Sequence, residues 1–147
     1  SILEILYLSS IIYISFLYYK LFLNVVKLRR KNKQPLGFKN EELERAIRAH
    51  ANFCETVPLN ILISFILYFN NLIFFSLLQT LLLATGRTLH AKAISNIKEN
   101  INMRRTGMKL TNYSLFIGII GIVSYILQLI YFTFTKYTKN LLNLIDS

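Results

Sequence analysis

Two apolar stretches, Val57 to Phe69 and Leu72 to Thr85, stand only the pair Asn70-Asn71 apart, and neither is long enough to cross a bilayer by itself. At the helical rise each covers about 20 Å, whereas the hydrocarbon core is about 30 Å thick. The asparagine turn leaves room only for an antiparallel helical hairpin, so each helix must gain its missing length at its far end. The residues there are polar: Arg48, Asn52 and Glu55 before the first stretch, Arg87 and His90 after the second. Antiparallel pairing puts both polar halves at one end of the hairpin. Ionisable groups at such depth are costly, and they face a bundle interior or a wet cavity, which makes them candidates for function.

The rest of the composition fits a membrane setting. A chain of 147 residues that is 54% hydrophobic and 16% charged carries more apolar surface than a soluble domain of this size can hide. Two longer stretches, Ile2 to Leu28 and Leu110 to Phe134, can span unaided. The expected fold class is therefore all-α: an integral membrane four-helix bundle, one transmembrane domain over residues 1–147, with helices at about 2–28, 41–69, 72–95 and 108–135. No basic leader or small-residue cleavage site precedes the first stretch, so it is read as a retained span.

Charge placement predicts orientation. The net charge is +10, and its cations crowd two connections, from Lys27 to Arg48 and from Arg87 to Lys109. The positive-inside rule then puts loops 29–40 and 96–107 in the cytoplasm, and the run from Arg29 to Lys33 suits anionic headgroups. Membrane orientation accounts for this charge, so nucleic acid is not an expected partner. Tyr7, Tyr68, Tyr131 and Tyr137 are expected in the outer aromatic belt and Tyr113 in the inner one. Cys54 stands alone, which excludes an intrachain disulfide and a thiolate metal site; it is expected to act as a small buried hydrophobe. No metal is expected.

Local signals place the second helix. Asn40 followed by Glu41, Glu42 and Glu44 is an N-cap with acids in the first turn, and Pro58 deep inside predicts a kink. Along that helix Arg45, Arg48, Asn52 and Glu55 recur at spacings that put them within a sector of about 80°. Guanidinium groups, an amide and a carboxylate side by side suit a ligand with both carboxylates and an amine: Arg grips a carboxylate bidentately, and Glu accepts from an ammonium. The competing reading is structural, with buried Arg–Glu pairs merely joining helices. Convergence of Arg87 and His90 from the third helix, and of Arg104 or Arg105 from the base of the fourth, tips the balance toward a ligand site.

The stripe Arg-x-x-Arg-Ala-His-x-Asn-x-x-Glu-x-x-Pro, Arg45 to Pro58, resembles the signature of the MAPEG family, the membrane-associated proteins of eicosanoid and glutathione metabolism. Gly86-Arg87-Thr88-Leu89-His90-Ala91 and Arg105-Thr106-Gly107-Met108-Lys109-Leu110-Thr111 are similar to its bacterial branch. The resemblance implies a homotrimer in a bacterial inner membrane, with glutathione as co-substrate in clefts between subunits. It also implies that Arg48, Asn52, Glu55 and Arg87 bind the tripeptide. Arg45 and His90 are counted with them, and Arg104 or Arg105 would hold the thiolate. The sequence departs from the mammalian pattern at Thr56, where a Tyr is usual, and at His90, where the helix 3 pattern has Tyr.

The function so implied is that of a membrane-embedded glutathione-binding protein, a transferase or peroxidase-like enzyme acting on hydrophobic electrophiles or lipids. The alternative is a non-catalytic lipid-binding or scaffold protein on the same fold. A transporter fits less well, because the intramembrane charges cluster at one end and trace no path across.

Overall fold

A computed structural model of the chain describes residues 1–145, and these fold into four helices: α1 Ile2–Lys31, α2 Glu41–Phe69, α3 Ile73–Ile94 and α4 Ile101–Ile145. Each boundary has a local cause. Ser1 and Glu4 form a capping box at the start of α1, whose last turn ends on Arg29, Arg30 and Lys31. In the connection that follows, Gly37 takes a left-handed φ of +66°, and Arg29 Nη1 donates to the carbonyls of Gln34, Pro35 and Gly37. The Asn40 side chain accepts from the Leu43 amide at 2.8 Å and caps α2. That helix then runs through Pro58 to Phe69 without interruption. Asn71, at φ 61°, turns the chain into α3.

Helix α3 is the axis of the bundle, packing against α1, α2 and α4, while α1 and α4 do not meet. The core it builds joins an apolar cluster, with Ile14, Phe53, Val57 and Leu83 among its members, to a set of buried polar groups. Ser76, Gln79, Thr80 and Arg87 of α3 are buried, as are Ser10, Asn60, Ser64 and Ser114 on its neighbours. Ser10 Oγ donates to Thr80 Oγ1 at 2.7 Å, Gln79 Nε2 to the Asn60 carbonyl at 3.0 Å, and Ser114 Oγ to Asn60 Oδ1 at 2.9 Å. The outward face is apolar, with Phe16, Leu59, Phe65, Phe74, Phe116 and Ile130 among its exposed side chains. Buried polar groups paired between helices, beneath an exterior this apolar, suit a bilayer, since lipid already solvates apolar groups and interhelical hydrogen bonds help to hold the helices together. By length and composition α1, α2 and α4 can each span a membrane; α3 falls outside that group, carrying Gln79, Arg87, His90 and Lys92 within its 22 residues.

Three expectations are corrected. Tyr7 is buried rather than in an outer belt: it stacks on Tyr68 with ring centroids 4.9 Å apart, and its hydroxyl lies 3.3 Å from Ser64 Oγ. A tyrosine with a hydroxyl partner at hand packs inside as readily as at an interface. The fourth helix begins at Ile101, not near Met108, so Arg104 and Arg105 stand on its first turns instead of in a loop; Asn100 starts it, accepting from the Met103 amide at 3.0 Å. Cys54 is exposed, with Sγ 3.7 Å from His50 Nε2, and is not a buried filler.

Candidate functional site

The site is set by a close crossing of α3 and α4. A Cβ on Gly107 would lie 2.6 Å from the His90 amide nitrogen and 2.7 Å from the Gly86 carbonyl oxygen. Only paired glycines allow backbones so near. The crossing brings Thr111 and Met108 of α4 against the residue after Gly86, which is Arg87. Its guanidinium, 1% exposed, is fully engaged: Nε donates to Thr111 Oγ1 at 2.8 Å, Nη1 to Asn52 Oδ1 at 2.5 Å and to Thr56 Oγ1 at 3.1 Å, and Nη2 to Met108 Sδ at 3.4 Å. All four acceptors are neutral, and among the described residues no carboxylate comes within ion-pair distance. A buried cation satisfied only by dipoles leaves its field open toward the nearest surface, here Asn52 on α2.

A second group lies at the basic end of the bundle, in a cleft of about 390 Å³ between α2 and the α3–α4 connection. Glu99 is its centre. One carboxylate oxygen accepts from Arg104 Nη1 at 2.8 Å and the other from Arg45 Nη1 at 3.2 Å, while Arg45 Nε also reaches Glu41 at 2.8 Å. The hydrogen bond from Arg104, then that from Arg45, hold the Glu99 carboxyl below its usual value of 4.5. Arg48 lines the same cleft with no acid paired to it among the described residues. The cleft thus offers one guanidinium, Arg48, without an ion pair among the described residues, and two that share Glu99, of which Arg45 also holds Glu41; Glu44 lines it too.

The sequence-derived residues are divided among these places. Arg45, Arg48 and Arg104 share the cleft, and Asn52 and Arg87 share the buried group one to two turns along α2. Glu55 follows on the same stripe, exposed and without a hydrogen bond or ion pair among the described residues. Arg105 is also exposed and lines a neighbouring cleft with Glu99, Asn100 and Asn102, not the one that Arg45 and Arg48 line. His90 and Arg87 are buried within the subunit, so in this chain neither presents a surface of its own to a ligand. The reason is the glycine crossing, which lays α4 over that face of α3.

Sequence reasoning missed Thr111, Thr56 and Met108 as partners of Arg87, and Glu99 as the acid joining the arginines. Glu99 had a signal: it is the one acid between Glu55 and Asp146, in a strongly basic segment. Thr111 had none, because its role depends on where two helices cross.

A model of the MAPEG family matches residues 7–124, from the first turns of α1 to the middle of α4. No curated protein matches the chain.

Proposed function

From the premise that this chain belongs to the MAPEG family, whose members are membrane proteins of glutathione-related transferase and peroxidase type, we propose that it binds glutathione at the basic end of the bundle. The polar stripe of α2 supports this reading. Arg48 and Glu55 are exposed on a helix that can span a membrane, and neither has an ion pair among the described residues. Charges so placed need a counterpart from outside the chain. Glutathione supplies one for each: carboxylates for Arg48 and the Arg45–Arg104 pair, an ammonium for Glu55. Arg87 acts from behind, aligning Asn52 and adding positive potential, and His90 packs beside it.

A neighbouring subunit is the natural wall for the open side of this stripe, which makes a homotrimer with clefts at its interfaces part of the proposal. On this reading the stripe lies toward the cytoplasm of a bacterial inner membrane. Of the paired arginines, Arg104 is assigned to the thiolate, because it reaches the cleft that Arg48 lines. A guanidinium beside a thiol lowers its pKa and enlarges the nucleophilic fraction near neutral pH. The thiolate, its proton having passed to solvent, then forms a carbon–sulfur bond to a hydrophobic electrophile entering from the lipid, which either releases its leaving group with the bonding pair or, at an activated double bond, takes a proton from solvent at the adjacent carbon.

Isothermal titration of detergent-purified protein with glutathione tests the reading, and no heat at millimolar ligand removes it. One observation favours a second reading, a non-catalytic lipid-binding or scaffold protein. An apolar groove of about 360 Å³ opens between α1 and α2 on the Cys54 side, lined by Ile14, Tyr18, Phe53 and Pro58, away from the arginines. Thiolate absorbance separates the two: it rises when glutathione meets the enzyme and stays flat with the scaffold.

A further inference from the structure

Between the basic-end halves of α1 and α3 lies a groove of about 720 Å³ that none of the glutathione-site residues lines. Lys20 and Lys27 of α1 and Lys92 of α3 stand on its walls, and Leu17, Leu21 and Leu23 contribute its apolar surface. Thr88 also lines a smaller neighbouring cleft of about 240 Å³ beside Tyr13 and Ala84, where Tyr13 Oη and Thr88 Oγ1 lie 2.8 Å apart and tie the two helices. From Lys27 down to Leu17 the groove runs about 15 Å along α1, about the depth of one hydrocarbon leaflet. Because α1 and α4 do not meet, α4 leaves it uncovered.

The charge of the groove is one-sided. Helix α1 carries a single acid, Glu4, at its opposite end, and α3 carries none. The ammonium groups of Lys20, Lys27 and Lys92 make no hydrogen bond or ion pair among the described residues. Snorkelling would explain one lysine at this depth. It does not explain cations gathered from two helices over one apolar channel.

We propose that the α1–α3 groove binds one anionic phospholipid, its phosphate held among Lys20, Lys27 and Lys92 and an acyl chain lying along Leu17 and Leu21 toward Tyr13. The cationic mouth selects the headgroup. The apolar length below it selects a lipid over a free phosphate, which would leave that surface uncovered.

Native mass spectrometry of the full chain in detergent, with phosphatidylglycerol, phosphatidylcholine or glycerol phosphate added, tests this. Phosphatidylglycerol should be retained at least about tenfold more than phosphatidylcholine, since each lysine near anionic lipid is worth about fivefold. Glycerol phosphate should not be retained. The triple variant Lys20→Gln/Lys27→Gln/Lys92→Gln should lose the preference, while Arg30→Gln/Lys33→Gln/Lys39→Gln, which removes equal charge from the first connection, should keep it within about twofold. Equal losses in the two variants, an unchanged groove variant, or retained glycerol phosphate would overturn the proposal. Should the groove variant not fold, a single substitution serves instead. The chain has no tryptophan, so Leu23→Trp supplies a lone fluorophore at the groove. Brominated phosphatidylglycerol should quench it more than brominated phosphatidylcholine, and equal quenching overturns the proposal.

Discussion

Asn52 of α2 accepts a hydrogen bond from Arg87 of α3 at 2.5 Å, joining the exposed polar stripe to a guanidinium that is itself sealed inside the subunit. The two residues are unequal in what their loss leaves behind. Replacing Arg87 by Met removes the buried charge along with its hydrogen bonds, and the hydroxyls of Thr56 and Thr111 still donate to the carbonyls of Asn52 and Gly107. Replacing Asn52 by Leu leaves the cation in place and short of an acceptor, at a cost of about 1–3 kcal/mol. Asn52→Leu should therefore lower the thermal unfolding midpoint in a common detergent more than Arg87→Met does. The opposite order would show that Arg87 is held by something other than this network.

The glycine crossing makes a steric prediction. Gly107→Ala would drive a methyl into the backbone of His90 and Gly86, which cannot swing aside, so it should cost about 1–3 kcal/mol by overpacking. Gly121→Ala meets the methyl groups of Leu67, which can rotate, and should cost less. Thermal midpoints of the two variants decide it, and equal destabilisation would mean that α3 and α4 separate more easily than the crossing implies.

Glu99 carries a pH dependence whose sign follows from its lowered folded-state value. Its ion pairs with Arg104 and Arg45 are fully present above the ordinary value of 4.5 and are lost as pH falls through the lower, folded value. Amide protection in the connection between α3 and α4, taken relative to the intrinsic exchange rate at each pH, should thus hold near neutral pH and fall only below about 4.5. Glu99→Gln should show low protection already at neutral pH and little further change on acidification. A variant with the wild-type acid response would place the titrating group elsewhere.

The two neighbouring arginines should differ in function. Under the proposed chemistry Arg104→Gln removes a charged hydrogen bond to the thiolate, worth about 1.5–3 kcal/mol or at least tenfold in affinity. Arg105→Gln, on the side facing Asn100 and Asn102, should stay within about twofold. Glutathione titrations of both variants, with thiolate absorbance as a second readout, measure the contrast. Losses of similar size would argue that the cleft is not where the thiol lies.

Glu99→Gln offers a converse check on the cleft. It frees the guanidinium groups of Arg45 and Arg104 from their shared carboxylate, so an anionic tripeptide should bind several-fold more tightly at neutral pH. Weaker binding would show that Glu99 aligns the arginines for the ligand instead of competing with it.

Much of the architecture was legible along the chain. Helix number, the hairpin at Asn70-Asn71, the N-cap at Asn40 and the membrane setting all follow from apolar run lengths, cap residues and charge placement, which are local quantities. The α2 stripe was legible for the same reason: residues of one helix share a face by spacing alone. Family membership rested on that stripe. Arg87 was read as converging on it, and so was one of Arg104 and Arg105; which of these two, and which groups seal Arg87, could not be read, because partners on different helices are chosen by crossing geometry. The meeting of Gly86 with Gly107 buries Arg87 under Thr111, and the start of α4 at Ile101 places Arg104 in ion-pair contact with Glu99 and in the cleft that Arg45 lines, while Arg105 makes no ion pair among the described residues. Periodicity along one helix says nothing of the rotation of its neighbour about its own axis, and a single residue's difference in a helix start turns its side chains by about 100°. So the sequence alone determined the kind of molecule and the half of the site carried by α2, while the packing of α3 against α4 decided which charges lie open to a ligand and which are sealed within.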